Sequence, residues 1–198
     1  ERIIDTAYGQ TKVNIGSMDG FALAFLARHG LDHSTPPHNI NYRANIKALQ
    51  MLGVKRIAAT YAVGSANCRV RPTEMALLTD FMNFTSGRPL TFFEGGDSGL
   101  AHTAMDAPYC PAMGRKILEL AHARGLAIKP DAVYVATNGP RFETPAEIRM
   151  YDRLGGDVVG MTGVPEIVLA REAGMHFAAV AYSVNWCSGI MDVLELHE

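Results

Sequence analysis

Apolar positions along this chain switch between two rhythms. Residues 21–27 and 177–184 are nearly continuous apolar runs, and the first is patterned like a strand buried on both faces. Residues 41–52 instead place Ile46, Leu49 and Leu52 at helical spacing and stop at Gly53, a usual helix end. Residues 56–63 read as a strand closing at Gly64 and Ser65, and 74–78 as a shorter one. A helix is predicted over 111–124, with Pro111 at its start and Gly125 after its end. Residues 132–137 return to strand. Thr144, Pro145 and Glu147 then spell a helix start: a capping hydroxyl, a proline in the first turn and a glutamate three residues after the cap. That helix ends near Gly155 and Gly156. Residues 158–161 read as strand, 165–173 as helix, and 193–198 as the start of another helix.

Strands alternating with helices predict an α/β fold with a largely parallel sheet, whose sites gather at the carboxyl ends of strands. Residues 85–111 break the rhythm. They are rich in Gly, Asp, Ser and Pro, and a loop of that length is usually functional or at an interface. No repeat or low-complexity linker divides the chain, so one domain over 1–198 is expected.

Composition narrows the function. With 198 residues, 48% of them hydrophobic, the chain can bury a sizeable core. Its formal net charge of -2 is spread without a basic block, which argues against nucleic-acid partners. The apolar runs are too short to span a bilayer. Three cysteines, Cys68, Cys110 and Cys187, lack metal-site spacing and read as reduced thiols of a cytoplasmic protein.

Four clusters follow strand candidates. Arg28, His29, Gly30 and His33 could hold an oxyanion such as phosphate, or form a solvated polar loop. Residues 60–65 end a strand in small residues that let backbone N–H groups approach a ligand, or make an ordinary tight turn; the lysine and spacing of a P-loop are absent. In the third cluster, Phe142 offers an aromatic face to a flat ring and Glu143 an acceptor for a ring N–H; core packing and surface exposure are the alternatives. In the fourth, Thr162 precedes a helix start, where its hydroxyl and the helix amides can face an anion or the side chain can simply cap the helix. Asn185, beyond a buried run, both donates and accepts, as reading a purine edge requires. It could equally serve a turn.

Taken together and in order, residues 26–30, 41–46, 62–65, 139–147 and 160–166 resemble the trimeric purine nucleoside phosphorylase and methylthioadenosine phosphorylase family. The likeness runs from about Thr6 to Gly189 and is most specific over 138–173. It implies a single α/β domain with a twisted mixed, largely parallel sheet flanked by helices.

The resemblance also implies roles. Arg28, His29 and the Thr162 hydroxyl are expected to bind phosphate, with Ala62 a backbone contact near phosphate and base. Phe142 would flank the base and sugar, Met161 would pack under the ribose, and Glu143 with Asn185 would read the purine. His102 would reach a neighbouring subunit's sugar pocket in a homotrimer. The chemistry calls for no metal or organic cofactor, since inorganic phosphate is a co-substrate and the attacking group. Asn185 and Glu143 suit 6-oxopurines, because an amide N–H donates to a 6-oxo group and a carboxylate accepts from N1–H. Inosine, guanosine or 5′-methylthioinosine are the expected substrates, with a lean to the methylthio sugar because residues 28–30, 63–65 and 86–88 and His102 resemble the methylthio-nucleoside branch.

Two departures accompany the resemblance. The family's N-terminal phosphate loop would precede Glu1 and its C-terminal helix would be cut short, so the domain is expected to lack both. Tyr61 stands where a small hydroxyl residue is common. Rival readings are a methylthioadenosine phosphorylase, a nucleosidase using water, and a non-catalytic nucleoside-binding protein of the same fold.

Overall fold

A computed structural model describes residues 1–191. The predicted helix start at 193–198 lies outside the described residues. The chain opens with three antiparallel strands, β1 (Arg2–Thr6), β2 (Gly9–Met18) and β3 (Phe21–Phe25), in the order β1-β2-β3. Asp19 and Gly20 link β2 to β3 with positive φ at both positions, the backbone a two-residue type I′ hairpin turn requires.

The rest alternates as expected: α1 (Tyr42–Met51), β4 (Arg56–Ser65), β5 (Met75–Asn83), α2 (Pro111–Ala123), β6 (Ile128–Ala136), α3 (Pro145–Arg153), β7 (Val158–Gly160), α4 (Gly163–Glu172) and β8 (His176–Trp186). Helix starts follow their local chemistry. Asn41 accepts from the Ala44 N–H at the start of α1, and Thr144 with Glu147 closes a reciprocal capping box on α3. Strands β4 to β8 close into a barrel in the order β4-β7-β6-β5-β8. Three of its pairings are parallel (β4 with β8, β5 with β6, β6 with β7) and two antiparallel (β4 with β7, β5 with β8). The mixed, mainly parallel sheet is therefore present, rolled onto itself.

One expectation fails. Residues 21–27 are not a strand buried on both faces: β3 is the outer strand of the antiparallel ribbon, with Phe21 74% and Phe25 62% exposed. A continuous apolar run marks two covered faces only when layers pack on both sides of the strand, and among the described residues nothing covers this one fully. Residues 85–111 are irregular apart from one short 3-10 turn, Gly96–Ser98. No helix among the described residues is long and apolar enough to cross a membrane.

Tyr134 on β6 lies fully buried at the centre. Gly160 and Gly163 pass against its ring: a Cβ on either would sit 2.5 or 2.7 Å from Tyr134 atoms. Only glycine allows the turn between β7 and α4 to come this close. Tyr134 Oη in turn accepts the Thr162 and Gly163 N–H groups at 3.2 and 3.1 Å.

Candidate active site

The ends of β4, β7 and β8, with the segments after β3 and after β6, surround a cavity of about 440 Å³. Its walls include Arg28, His29, Ala62, Phe142, Glu143, Met161, Thr162 and Asn185. Eight of the nine residues singled out in the sequence thus meet in one place, although 157 positions separate Arg28 from Asn185. The ninth, His102, is exposed on the long loop and does not line this cavity.

Each wall has a local cause. On β8 the pairing with β4 skips from Ser183 to Asn185, so Val184 is the extra residue of a bulge. Bulges re-aim side chains, and here the residue after the bulge is Asn185. Its amide donates one N–H to Trp186 O at 2.7 Å, which leaves Oδ1 and a second N–H without partners among the described residues. Gly64 makes room opposite: a Cβ there would lie 2.6 Å from Cys187 Sγ and 3.4 Å from the Asn185 amide nitrogen.

Glu143 is 9% exposed and anchored from behind, where the Thr137 hydroxyl donates to its Oε1 at 2.7 Å. Its Oε2 has no hydrogen bond among the described residues. Phe142 beside it is exposed, which excludes the core-packing alternative. Thr162 makes no side-chain cap bond on α4, so the helix-cap alternative fails as well, and the residue lines the cavity. The expectation that helix amides also face an anion is corrected: the Thr162 and Gly163 N–H groups are bound to Tyr134 Oη. A buried hydroxyl is the nearer acceptor, and it uses the donors first.

Arg28 is held from three sides. Nε donates to Glu166 Oε1 at 2.6 Å, Nη2 to Glu166 Oε2 at 3.3 Å, and Nη1 to the Thr60 carbonyl at 3.1 Å. The Tyr61 hydroxyl donates to the same Glu166 Oε2 at 2.7 Å. Burial, the largest single influence, opposes the Arg28 charge, but Glu166 together with Tyr61 and Tyr134 outweighs it and holds the guanidinium above its ordinary pKa. Burial first, and Glu166 second, push the Tyr61 phenol well above its usual range, so it remains a neutral donor. His29 Nδ1 is 2.8 Å from the Thr35 carbonyl, and its ring stacks on His33 with centroids 4.6 Å apart. Cys187 also lines the cavity; burial, reinforced by Glu143, raises its thiol to about 12.

Several of these residues carried no role in the sequence reading. Glu166 lay inside the specific motif without one, and Thr137 stood unremarked at a strand end. Arg88, read from the sequence only as a mark of the methylthio branch, comes from the irregular loop and donates to the Met161, Val164 and Asn138 carbonyls at 2.7, 2.8 and 2.9 Å. It clamps the two segments that bear Phe142, Glu143 and Thr162. Glu166 is the one charge of 160–166 and Arg88 the one arginine or lysine of 85–111, but their partners are far away in sequence; Thr137 carried no such signal. A second cavity of about 970 Å³ lies across Arg28 and His29, between the β2–β3 ribbon, α1 and the start of β4.

The chain is similar to known proteins in sequence and in fold. A 6-oxopurine nucleoside phosphorylase of Pyrococcus furiosus is 48% identical over 96% of this chain and 74% of that protein. A protein of Methanopyrus kandleri named "Probable S-methyl-5'-thioinosine phosphorylase" is 47% identical over 96% of this chain and 74% of its own. The ligand-free methylthioadenosine phosphorylase of Schistosoma mansoni superposes with a TM-score of 0.89 at 32% identity, covering 94% of this chain and 74% of that one. The family model described as the phosphorylase superfamily matches residues 7–198. A match over nearly the full length, with relatives near half identity, makes this chain a member of the phosphorylase superfamily.

Proposed function

We propose that this protein catalyses phosphorolysis of a 6-oxopurine nucleoside, releasing the free base and a ribose 1-phosphate. The observation that carries the reading is the meeting of two unlike chemistries in one cavity. Arg28, His29 and the uncapped Thr162 hydroxyl form an oxyanion end, while Glu143 and Asn185 form an edge that accepts and donates as a 6-oxopurine requires.

The geometry suits the reaction. Phosphate held by Arg28, His29 and Thr162 stabilises positive charge growing on the ribose as the glycosidic bond stretches, and then attacks C1′. Asn185 donates to the purine as negative charge builds there. Glu143, fixed by Thr137, turns its free Oε2 toward N1–H. Phe142 flanks base and sugar, Met161 lies under the ribose, and Ala62 keeps backbone close to phosphate and base. This chemistry is carried by positioning and electrostatics and asks for no metal or organic cofactor. Inosine, guanosine and 5′-methylthioinosine form the proposed substrate class, and the names of the relatives support both kinds of sugar. A homotrimer in the cytoplasm, with His102 offered to a neighbouring subunit, completes the proposal.

The likeness to a methylthioadenosine phosphorylase favours a second reading, cleavage of 6-aminopurine nucleosides. One panel separates the two. Base release from inosine, methylthioinosine and methylthioadenosine is followed with and without phosphate. Phosphate-dependent cleavage of the 6-oxo compounds is expected, and preference for methylthioadenosine would overturn the 6-oxopurine assignment. Free ribose in place of ribose 1-phosphate would identify a nucleosidase.

A further inference from the structure

We infer that Glu166 and Tyr61 are positioning residues that aim Arg28 at phosphate, an inference that rests on the phosphorolysis reading above. A guanidinium has five N–H groups. Three are engaged inside the protein, two by Glu166 and one by the Thr60 carbonyl. The remaining two lie one on each terminal nitrogen, available to the oxygens of an oxyanion.

The device has a second tier. Glu166 is 5% exposed, and its carboxylate is itself held by the Tyr61 hydroxyl. The Tyr61 ring also lies beneath the Arg28 guanidinium, 4.9 Å from ring centroid to Cζ. Tyr61 therefore touches Arg28 through its face and restrains Arg28's counter-ion through its hydroxyl. Its neighbour in sequence, Thr60, supplies the carbonyl that takes Nη1. A single strand, β4, thus contributes two of the constraints, and the first residues of α4 contribute the third.

This arrangement changes how phosphate is recognised. Arg28 arrives at the cavity already paired with a carboxylate, so its attraction for a dianion rests less on net charge and more on direction. Loosening the pair should then harm phosphate more than nucleoside. A residue needed only for folding would lower the active fraction or the melting temperature and leave the phosphate KM alone.

The test uses the full chain, with Glu166→Gln, Tyr61→Phe and wild type compared by initial rates over separate titrations of phosphate and inosine. Gln keeps the shape but replaces one acceptor oxygen by a donor. Phe keeps the ring beneath Arg28 and removes only the hydroxyl. The phosphate KM is expected to rise about tenfold or more for Glu166→Gln and a few-fold for Tyr61→Phe, with the inosine KM within about twofold of wild type. A wild-type phosphate KM in both variants, or equal rises for both substrates, overturns the inference. Should Glu166→Gln fail to fold, Tyr61→Phe alone decides by the same criteria. If wild type shows no phosphate-dependent turnover, the phosphorolysis reading fails, and calorimetric titration with inorganic phosphate then decides on positioning: weaker binding in the variants supports it, equal binding overturns it.

Discussion

Replacing Glu143 by Gln should invert part of the base preference. Thr137 donates its hydroxyl to Glu143 Oε1 from a site 7% exposed. Keeping that bond places the glutamine oxygen inward and its NH2 group outward, toward the cavity. A 6-oxopurine presents N1–H there, so an acceptor is replaced by a donor facing a donor. A hydrogen bond to a charged acceptor is worth about 1.5–3 kcal/mol. Its loss corresponds to a fall of roughly 10- to 150-fold in kcat/KM for inosine. Adenosine carries an unprotonated N1, which accepts, so its kcat/KM should hold or rise. Steady-state base release with both nucleosides at saturating phosphate measures the ratio. Equal losses for inosine and adenosine, or no loss for inosine, would show that Glu143 does not read N1.

Three further outcomes are expected. Tyr134→Phe removes the acceptor of two buried N–H groups and should cost about 2–4 kcal/mol in urea denaturation, with a loss below about 0.5 kcal/mol showing that the amides find other partners. Glu147 is held at about 2, first by its hydrogen bond from Arg141 and next by the Thr144 N–H. A folded pKa below the unfolded one stabilises above the unfolded value and is lost as pH falls through the folded one. The stability difference between wild type and Glu147→Gln should therefore shrink as pH drops from about 4.5 to about 2, and a pH-independent difference in thermal melts would contradict it. Cys187, raised to about 12, is a neutral thiol at pH 7 despite lining the cavity. Iodoacetamide should modify exposed Cys68 well before Cys187, read by peptide mass spectrometry, and rapid labelling of Cys187 would refute this.

Local signals carried most of the element boundaries. The Pro111, Thr144 and Gly53 predictions rest on capping and backbone rules that act within a few residues, and α2, α3 and α1 begin or end beside those positions. The opening ribbon went unread: the apolar run at 21–27 points to a buried strand, and the Asp19-Gly20 hairpin turn emerged only with the structure. Periodicity reports what a face could bury, and only packing reports whether anything covers it. The cavity residues stood out by motif, each open to two readings. For Thr162 and Phe142 the fold decides, by a missing cap bond and by exposure.

The sequence by itself determined the helices, the alternation with strands and the residue types that can grip phosphate or read a purine, because these depend on neighbours along the chain. Barrel closure, the bulge that turns Asn185, the Tyr134 hydroxyl that takes the α4 amides and the Glu166 pair behind Arg28 were decided by tertiary structure alone. The pair joins residues 138 positions apart. A contact across that span leaves no periodic trace in the chain, since its energy arises only when folding has removed both charges from water and brought them within reach.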